Sequence, residues 1–574
     1  MSHNVDMHIN IVPNRGSSPT VLLRESFREG SKVCKRTLAN LSALSAAQVQ
    51  MIRGALRGDV LQPVEKTFEV IASPAHGHVQ AVWLAMQRLG FASVLGAKPS
   101  PERDLVLAMV ASRIICPATK LATTRLWHNS TLAQEFCVSD ASENDLYAAM
   151  DWLIAGQDRI QKKLAARHIK EDSLVLYDLS SSYFEGQCCP LAKLGYSRDG
   201  KRGTLQVNYG LLADERGCPV AISVYEGNTS DSTTFMPQVT RVREQFGIKR
   251  MVMVGDRGMI SQKAIDEMSK DTDVAWITAL RSSSIRTLVE QHHLQLGLFD
   301  ERNLLEISSP DFPGERLVAC RNPELAKLRM HTRNDLLLAT EKELEKIKVR
   351  VAAAKLMGKD KIGIAAGKVV NRYKVAKHFE LTVHDDSFTY ARLEDNIAAE
   401  AALDGLYIIR TSVQSQRMDG PTCVRTYKSL AQVERAFRSI KMMDLKVRPI
   451  HHHLENRVRA HIFLCMLAYY VEWHMREAWR ELMFADEDQV AKLSRDPVAP
   501  AQRSDAAIKK VQSHMLDDGS PAHSFQTLMA TLQSIVRNTC RTPSGGPDAP
   551  TFEITTTPTQ KQKRALDLID QIKP

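Results

Sequence analysis

A chain of 574 residues, 44% hydrophobic and 25% charged, is globular and too long for one hydrophobic core, because single cores stop growing beyond about 250–300 residues. Lys and Arg outnumber Asp and Glu by 76 to 66, and the resulting net charge of +10 suits a polyanionic partner. Ten scattered cysteines without a C-x-x-C pair exclude a disulfide framework or a zinc knuckle, and the longest apolar run, "IFLCMLAYYV" at 462–471, is half a membrane span. The polar start "MSHNVDMHINIVPNRG" carries no apolar leader, so a soluble cytoplasmic protein with no membrane contact is expected.

In chain order, residues 1–170 show mostly helical patterns, such as "SAAQVQMIRGAL" and "HVQAVWLAMQRLGF", and read as a mainly helical N-terminal region able to bind DNA or a partner. The pattern changes at 173. "SLVLYDLS" is a strand, and "TLQVNYGLLAD" and "CPVAISVYEG" are two more, joined by the hairpin turn "DERG". "SDSTTFMPQVTRVREQFG" opens on Ser/Asp cap candidates and closes at Gly247, which makes it a helix. "RMVMVGD", "SQKAIDEMSK" and "VAWITAL" follow as strand, helix and strand. The order β-β-β-α-β-α-β gives a mixed α/β sheet, not a purely parallel one.

Residues 291–404 interrupt this pattern with a basic, heptad-like helix and a strand-like "HFELTVHDDSFTYARL". "GLYIIRTS" resumes the sheet, residues 427 to about 485 are helical, and 486–574 form a helical segment with the Pro/Thr/Ser-rich flexible tail "RTPSGGPDAPTFEITTTPTQ" at 541–560. The expected division is therefore 1–170, a core split into 171–290 and 405–485, the insertion 291–404, and the C-terminal 486–574.

Two apolar strands run into acids, Asp178 after "LVLY" and Asp256 in "MVMVGDRGMI" between Gly255 and Gly258. Acids at the C-terminal ends of two neighbouring strands repel each other, and a divalent cation removes that conflict. A two-ion site for phosphodiester chemistry needs a third acid. "YKSLAQVERAFRSIKMMDLKVRP" at 427–449 supplies it if the segment is one helix. With Glu434 at zero, Tyr427 and Lys441 fall about 20° to either side and Arg438 about 40° away, while Leu430, Val433, Phe437 and Ile440 form an adjoining apolar stripe.

The order Asp178, Asp256, Glu434 resembles the DDE transposases of bacterial insertion sequences, whose catalytic fold is RNase H-like. Tyr427, Glu434 and Lys441 match that family's Y-(2)-R-(3)-E-(6)-K helix signature in type and spacing; Leu430 stands where the signature has Arg, and Arg435 or Arg438 replaces that contact. "VGDRGM", "EGNTSDSTTF" and an insertion rich in β-structure before the last acid are similar to the same branch. The resemblance implies an RNase H-like core and two Mg²⁺ (or Mn²⁺) ions held by Asp178, Asp256 and Glu434. Tyr427, Arg435, Arg438 and Lys441 would contact DNA. It further implies cleavage at the ends of a mobile element, strand transfer into target DNA, a homodimer on DNA, nucleoid association and no ATP. An RNase H-fold nuclease that cuts without joining, or a non-catalytic DNA-binding derivative, are the rival functions.

Plainer readings accompany each residue. Asp178 and Asp256 could be solvated strand-end acids, Glu434 an i,i+4 partner of Arg438, and Tyr427 a packing aromatic. Glu185 and Asp199 read as surface or loop acids and Asp231 as a helix cap. His451, His452, His453 and His461 lack zinc-ligand spacing and read as polar contacts near the Glu434 helix. "GIAAGKV" at 363–369 lacks the phosphate-loop spacing, so no ATP site is expected. The Lys/Arg run over 342–377 is either a solvated helical face or a DNA contact, and "YSRDGKRG" at 196–203 is a basic loop able to hold a DNA backbone by charge.

Overall fold

The computed structural model describes residues 6–59, 67–299, 302–488, 494–500, 502–542 and 549–573. Its chain forms two compact units, Met1–Pro74 with Val536–Thr556, and Ala75–Ile535 with Thr557–Pro574.

The first unit differs from the expectation of helix. Asp6–Val12, Thr20–Glu29 and Lys32–Asn40 form an antiparallel meander, with Gly30 in the left-handed region at the second turn (φ +64°). Alternation of the strand type, as in "MHINIV", carries this sheet over segments too short to stand out beside the helical patterns that follow. The expected helix in "SAAQVQMIRGAL" is Ala46–Leu56, opened by a capping box between Ser45 and Gln48. A second small sheet joins Glu69–Ala72, Arg537–Arg541 and Thr551–Thr555. Part of the tail expected to be flexible is thus a paired strand: in "TFEIT" apolar Phe552 and Ile554 alternate with Thr551, Glu553 and Thr555, a pattern that the surrounding Pro and Thr composition obscures. Residues 543–548 of that tail lie outside the described residues.

The second unit is built on one sheet of nine strands. Pro219–Glu226, Leu205–Asp214, Ser173–Tyr183, Met251–Val254 and Val274–Ala279 lie side by side in that order. The first three run antiparallel; Ser173–Tyr183, Met251–Val254 and Val274–Ala279 run parallel. This is the mixed order of an RNase H-like core. The sheet continues through Leu406–Thr411, Arg316–Arg321 and Leu304–Ile307, all antiparallel, while Lys193–Leu194 pairs with Leu205–Asp214.

Both faces of this sheet are buried, which explains near-continuous apolar runs such as "MVMV". Val175, Tyr177, Met251, Met253 and Trp276 pack with Phe235, Val239 and Ile265 from the helices Asp231–Glu244 and Gln262–Met268. Leu176, Val252, Val254 and Tyr209 face the opposite way, with Val433 and Phe437. There the helix Glu455–Ala478, buried from Ala460 through Met475, packs on Pro101–Ile115, Glu143–Ala155 and strand Pro219–Glu226. The apolar run 462–471 is the centre of this helix, and no single helix among the described residues is long and apolar enough to cross a membrane.

Beyond its two sheet strands, the interruption is a helical arm. Pro323–Ala352 and Lys359–Tyr373 pack with the hairpin Phe379–Val383/Phe388–Arg392 around Leu337, Leu344, Ile362, Ala366 and Phe388. The expected single long helix stops before Gly358, whose φ of +94° disfavours side chains, and "GIAAGKV" lies inside the second helix.

The strand that carries Asp178 is closely fitted. A Cβ on Gly210 would stand 2.2 Å from the hydroxyl oxygen of the buried Tyr177. Gly210→Ala is expected to destabilise the protein by about 1–3 kcal/mol in chemical unfolding, with part of the loss recovered on adding Tyr177→Phe.

Candidate active site

Register explains how the first two acids meet. Leu176 is the partner of Val254 in the parallel pair, and Asp178 and Asp256 each stand two residues further along. Asp178 is not at the end of its strand as expected; Ser173–Tyr183 continues past it, with Asp178 opposite Leu211 on the antiparallel side. Asp178 shares the parity of Leu176, so it lies on the face where the helix Leu430–Arg438 packs against this strand. That helix is seated by Leu430, Val433 and Phe437, all buried, and the Phe437 ring meets Tyr209 edge-on at 5.7 Å.

Glu434 is exposed on this helix and, among the described residues, has neither a hydrogen bond nor an ion pair; it does not pair with Arg438. Asp256 is held through one oxygen, Oδ1, which accepts from the backbone N–H of Gly258 at 2.6 Å and Met259 at 2.9 Å. A Cβ on Gly258 would lie 3.2 Å from that oxygen, so the small residue leaves room for the carboxylate. Asp178 Oδ1 accepts from the N–H of Leu179 at 2.8 Å.

Electrostatics shows the three acids sharing one site. Burial pushes the Asp178 carboxyl up from 3.8 to about 7, the negative charges of Asp256 and Glu434 add to the rise, and Arg198 and the Leu179 N–H oppose it. Burial likewise pushes Tyr427 up to about 12, aided by Asp256, Asp178 and Glu434 and opposed by Arg257. Tyr427, Asp178, Asp256 and Glu434 are therefore neighbours. Negative charge without an ion-paired cation is the condition under which divalent ions replace protons on carboxylates.

The segment 427–449 is not the single regular helix expected. Gly420–Lys428, with Tyr427 in its last turn, ends at Ser429, whose hydroxyl donates back to the Thr426 carbonyl at 2.6 Å; Leu430–Arg438 starts directly after it. Ser439–Met443 is then a π-helical turn, which adds a residue and breaks the 100° count beyond Arg438. Arg435 and Arg438 remain exposed as the pattern implied. Lys441 instead turns inward and is buried, with Nζ 3.2 Å from Asp199.

Asp199 corrects the reading of a surface acid. Its side chain is 4% exposed and bridges Lys441, Arg448 (2.9 Å) and the N–H of Tyr183 (3.1 Å). Asp231 corrects the reading of a cap: Ser230 is the N-cap, and Asp231 pairs with Arg198. Glu185 is exposed near Lys201 and His451. His461 Nε2 donates to the Val447 carbonyl at 2.9 Å and His453 Nδ1 to that of Gln187 at 2.8 Å, both polar contacts beside the Glu434 segment. Next to Gly258 opens a cavity of about 370 Å³ lined by Tyr196, Arg198, Asn208, Asn228 and Arg281. Sequence reasoning flagged Arg198 only as part of a basic loop and missed Arg281, which lines the cavity from a distant segment, and Arg448, whose partner Asp199 is remote in the chain.

Residues 171–471 match the family described as Transposase DDE domain, and residues 9–62 match the N-terminal domain of IS1634 family transposases. The first match spans more than half of the chain, which belongs to the DDE transposase family. Among solved structures, a cryo-electron microscopy structure of piggyBac transposase synaptic complex with hairpin DNA is 9% identical, with a TM-score of 0.33 over 86% of this chain and 83% of that one. The curated proteins gave no match.

The Asp178 shift has a definite sign. A folded-state value above the unfolded one means that the folded protein holds the extra proton between about 4 and about 7, so without metal its stability falls as pH rises through that window. Thermal unfolding in EDTA should show this fall, and Asp178→Asn should flatten it. Mg²⁺ or Mn²⁺ affinity should climb across the same window, with proton release on binding seen by calorimetry in buffers of different ionisation enthalpy.

Proposed function

We propose that this transposase cuts double-stranded DNA at the ends of a mobile element and joins the freed 3′-OH to target DNA. The observation that carries the reading is the meeting of Asp178, Asp256 and Glu434, from two strands and a helix, with Asp178 raised to about 7 by burial and by the other two. We assign the three carboxylates as ligands for two Mg²⁺ (or Mn²⁺) ions. When bound, such ions supply an acidified nucleophile and neutralise charge developing on the phosphodiester.

The chain's own groups divide the remaining work. The paired N–H bonds fix one oxygen of Asp256 and leave the other without a bond among the described residues. Glu434 projects from a helix anchored on the sheet, so its carboxylate is placed by packing. Arg435 and Arg438 are exposed beside it and would contact backbone phosphates as charges that fix position without reading sequence. Tyr427 stays protonated at physiological pH and can donate its O–H to a phosphate oxygen. Lys441 would contribute through Asp199, holding the basic loop at 196–203 beside the site. Water attack on the scissile phosphodiester releases the 3′-OH strand end; that hydroxyl then attacks a target phosphodiester and displaces a new 3′-OH. Handling two element ends together supports a homodimer on DNA.

The test uses a labelled duplex carrying the DNA that flanks the gene, with Mg²⁺, Mn²⁺ or Ca²⁺. Nicks at one discrete boundary that leave a 3′-OH, followed by joined products, are expected with Mg²⁺ or Mn²⁺. Asp178→Asn, Asp256→Asn and Glu434→Gln should each lower the rate by about 10³-fold or more, equivalent to roughly 4 kcal/mol of transition-state stabilisation. Cleavage scattered along the duplex without joining would favour a nuclease, and binding without cleavage under every metal a non-catalytic derivative.

A further inference from the structure

Away from the acidic site, the described residues contain one cluster of soft metal-ligating side chains: His168, Cys218 and His474, whose ligand atoms lie within 4.8 Å of one another. They come from three places in the fold. His168 ends the helix Gln157–His168, Cys218 sits in the hairpin turn before strand Pro219–Glu226, and His474 lies on Glu455–Ala478. Cys218 Sγ stands 3.9 Å from His168 Nε2 and 3.8 Å from His474 Nε2. In a tetrahedral zinc site, with Zn–S of about 2.3 Å and Zn–N of about 2.0–2.1 Å, the S···N edge is roughly 3.6 Å. The two S···N edges therefore need to close by only a few tenths of an ångström.

A second layer supports the rings. Asp214 Oδ2 lies 3.9 Å from His168 Nδ1, behind the nitrogen that faces the thiol, and both side chains are almost fully buried. At that distance the carboxylate acts on the ring by charge and not by a hydrogen bond, and Arg216 Nη2 stands nearer the same nitrogen, at 3.4 Å. Asp214 is itself fixed by the backbone N–H of Cys218 at 2.8 Å and by Arg216 at 2.9 Å, which also neutralises the guanidinium. The thiol faces both Nε2 atoms; His168 Nε2 also meets the Tyr470 hydroxyl at 3.0 Å, a contact that a cation shared by the three groups would displace. A cavity of about 330 Å³ lined by His168, His474, Arg216, Trp473 and Glu477 reaches the cluster and gives an entry path and room for a water.

We propose that His168, Cys218 and His474 bind one Zn²⁺-like ion through Nε2, Sγ and Nε2, with a water from the adjoining cavity as fourth ligand. Binding replaces the thiol proton, which passes to solvent. Thiolate and imidazole select Zn²⁺ or Co²⁺ over Mg²⁺, so this site is chemically separate from the carboxylates. Its ion would tie the helix leading into the first core strand, the far hairpin of the sheet, and the helix Glu455–Ala478 together. That last helix also carries Glu472 and Arg476. Ser439, at the start of the π-helical turn after the Glu434 helix, donates to Glu472 at 2.9 Å, and Arg476 pairs with Glu472 at 2.6 Å.

The experiment titrates metal-free, full-length protein with Co²⁺ in excess Mg²⁺. One equivalent should produce a near-ultraviolet thiolate-to-cobalt charge-transfer band and strong tetrahedral ligand-field bands, both displaced by Zn²⁺. Cys218→Ser and His474→Gln should abolish them, and Asp178→Asn should leave them unchanged. Absence of the bands in the wild-type protein, or their survival in Cys218→Ser, overturns the site. X-ray absorption on the zinc-loaded wild-type chain gives a result that does not depend on the variants folding: one sulfur and two imidazole nitrogens are expected, and a shell without sulfur overturns the proposal.

Discussion

Leu176 opposite Val254 in a parallel pair is the constraint from which the geometry of the acidic site follows. Side chains alternate faces along a strand, so a register slip of one residue would send Asp178 and Asp256 to opposite sides of the sheet. The register is held by what packs on each face: Tyr177, Met253 and Trp276 on one, Leu176, Val252 and Val254 on the other. Burying an acid beside like charges is unfavourable, and the rise of Asp178 to about 7, caused first by burial and then by Asp256 and Glu434, reflects it. The sheet bears that repulsion because its apolar burial is spread over many more residues than the three acids occupy.

The third acid is positioned by different means. Glu434 is carried by a short helix between two irregularities, the break at Ser429 and the π-helical turn at Ser439–Met443. Each irregularity is fixed by polar groups: the Ser429 hydroxyl on the Thr426 carbonyl, and Ser439 on Asp444 and the fully buried Glu472. Lys441 and Arg448 close on Asp199 from the same segment. The side of the site opposite the sheet is thus held by a network of buried charges, each of which depends on its partners to remain satisfied.

Much of this was legible in the sequence, for reasons that can be named. The core strands and the helix between them announce themselves through apolar runs, caps and turns, and the two aspartates stand out because each follows such a run. The apolar stripe of Leu430, Val433 and Phe437 is a local pattern, and the structure buries it as read. What the sequence hid was long-range or non-ideal. Constant rotation of 100° per residue fails past Arg438, so Lys441 points inward rather than beside Glu434. Asp199 looked like a loop acid because its partners lie about 240 residues away. His168, Cys218 and His474 have no spacing signal, since only the folded sheet and helices bring them together. The strands between Asp6 and Asn40 were lost beneath stronger helical patterns nearby.

The interruption between the second aspartate and the glutamate is not a detachable module. Arg316–Arg321 lies between Leu304–Ile307 and Leu406–Thr411, and Leu406–Thr411 in turn borders Val274–Ala279. Excising everything from 291 to 404 would strip Leu406–Thr411 of a neighbour and leave a raw, apolar sheet edge open to aggregation. A minimal catalytic fragment therefore has its boundary inside the interruption, after Arg321. Only the helical arm from Pro323 to Ala401, which has its own core around Leu337, Leu344 and Ile362, is a candidate for replacement by a short linker.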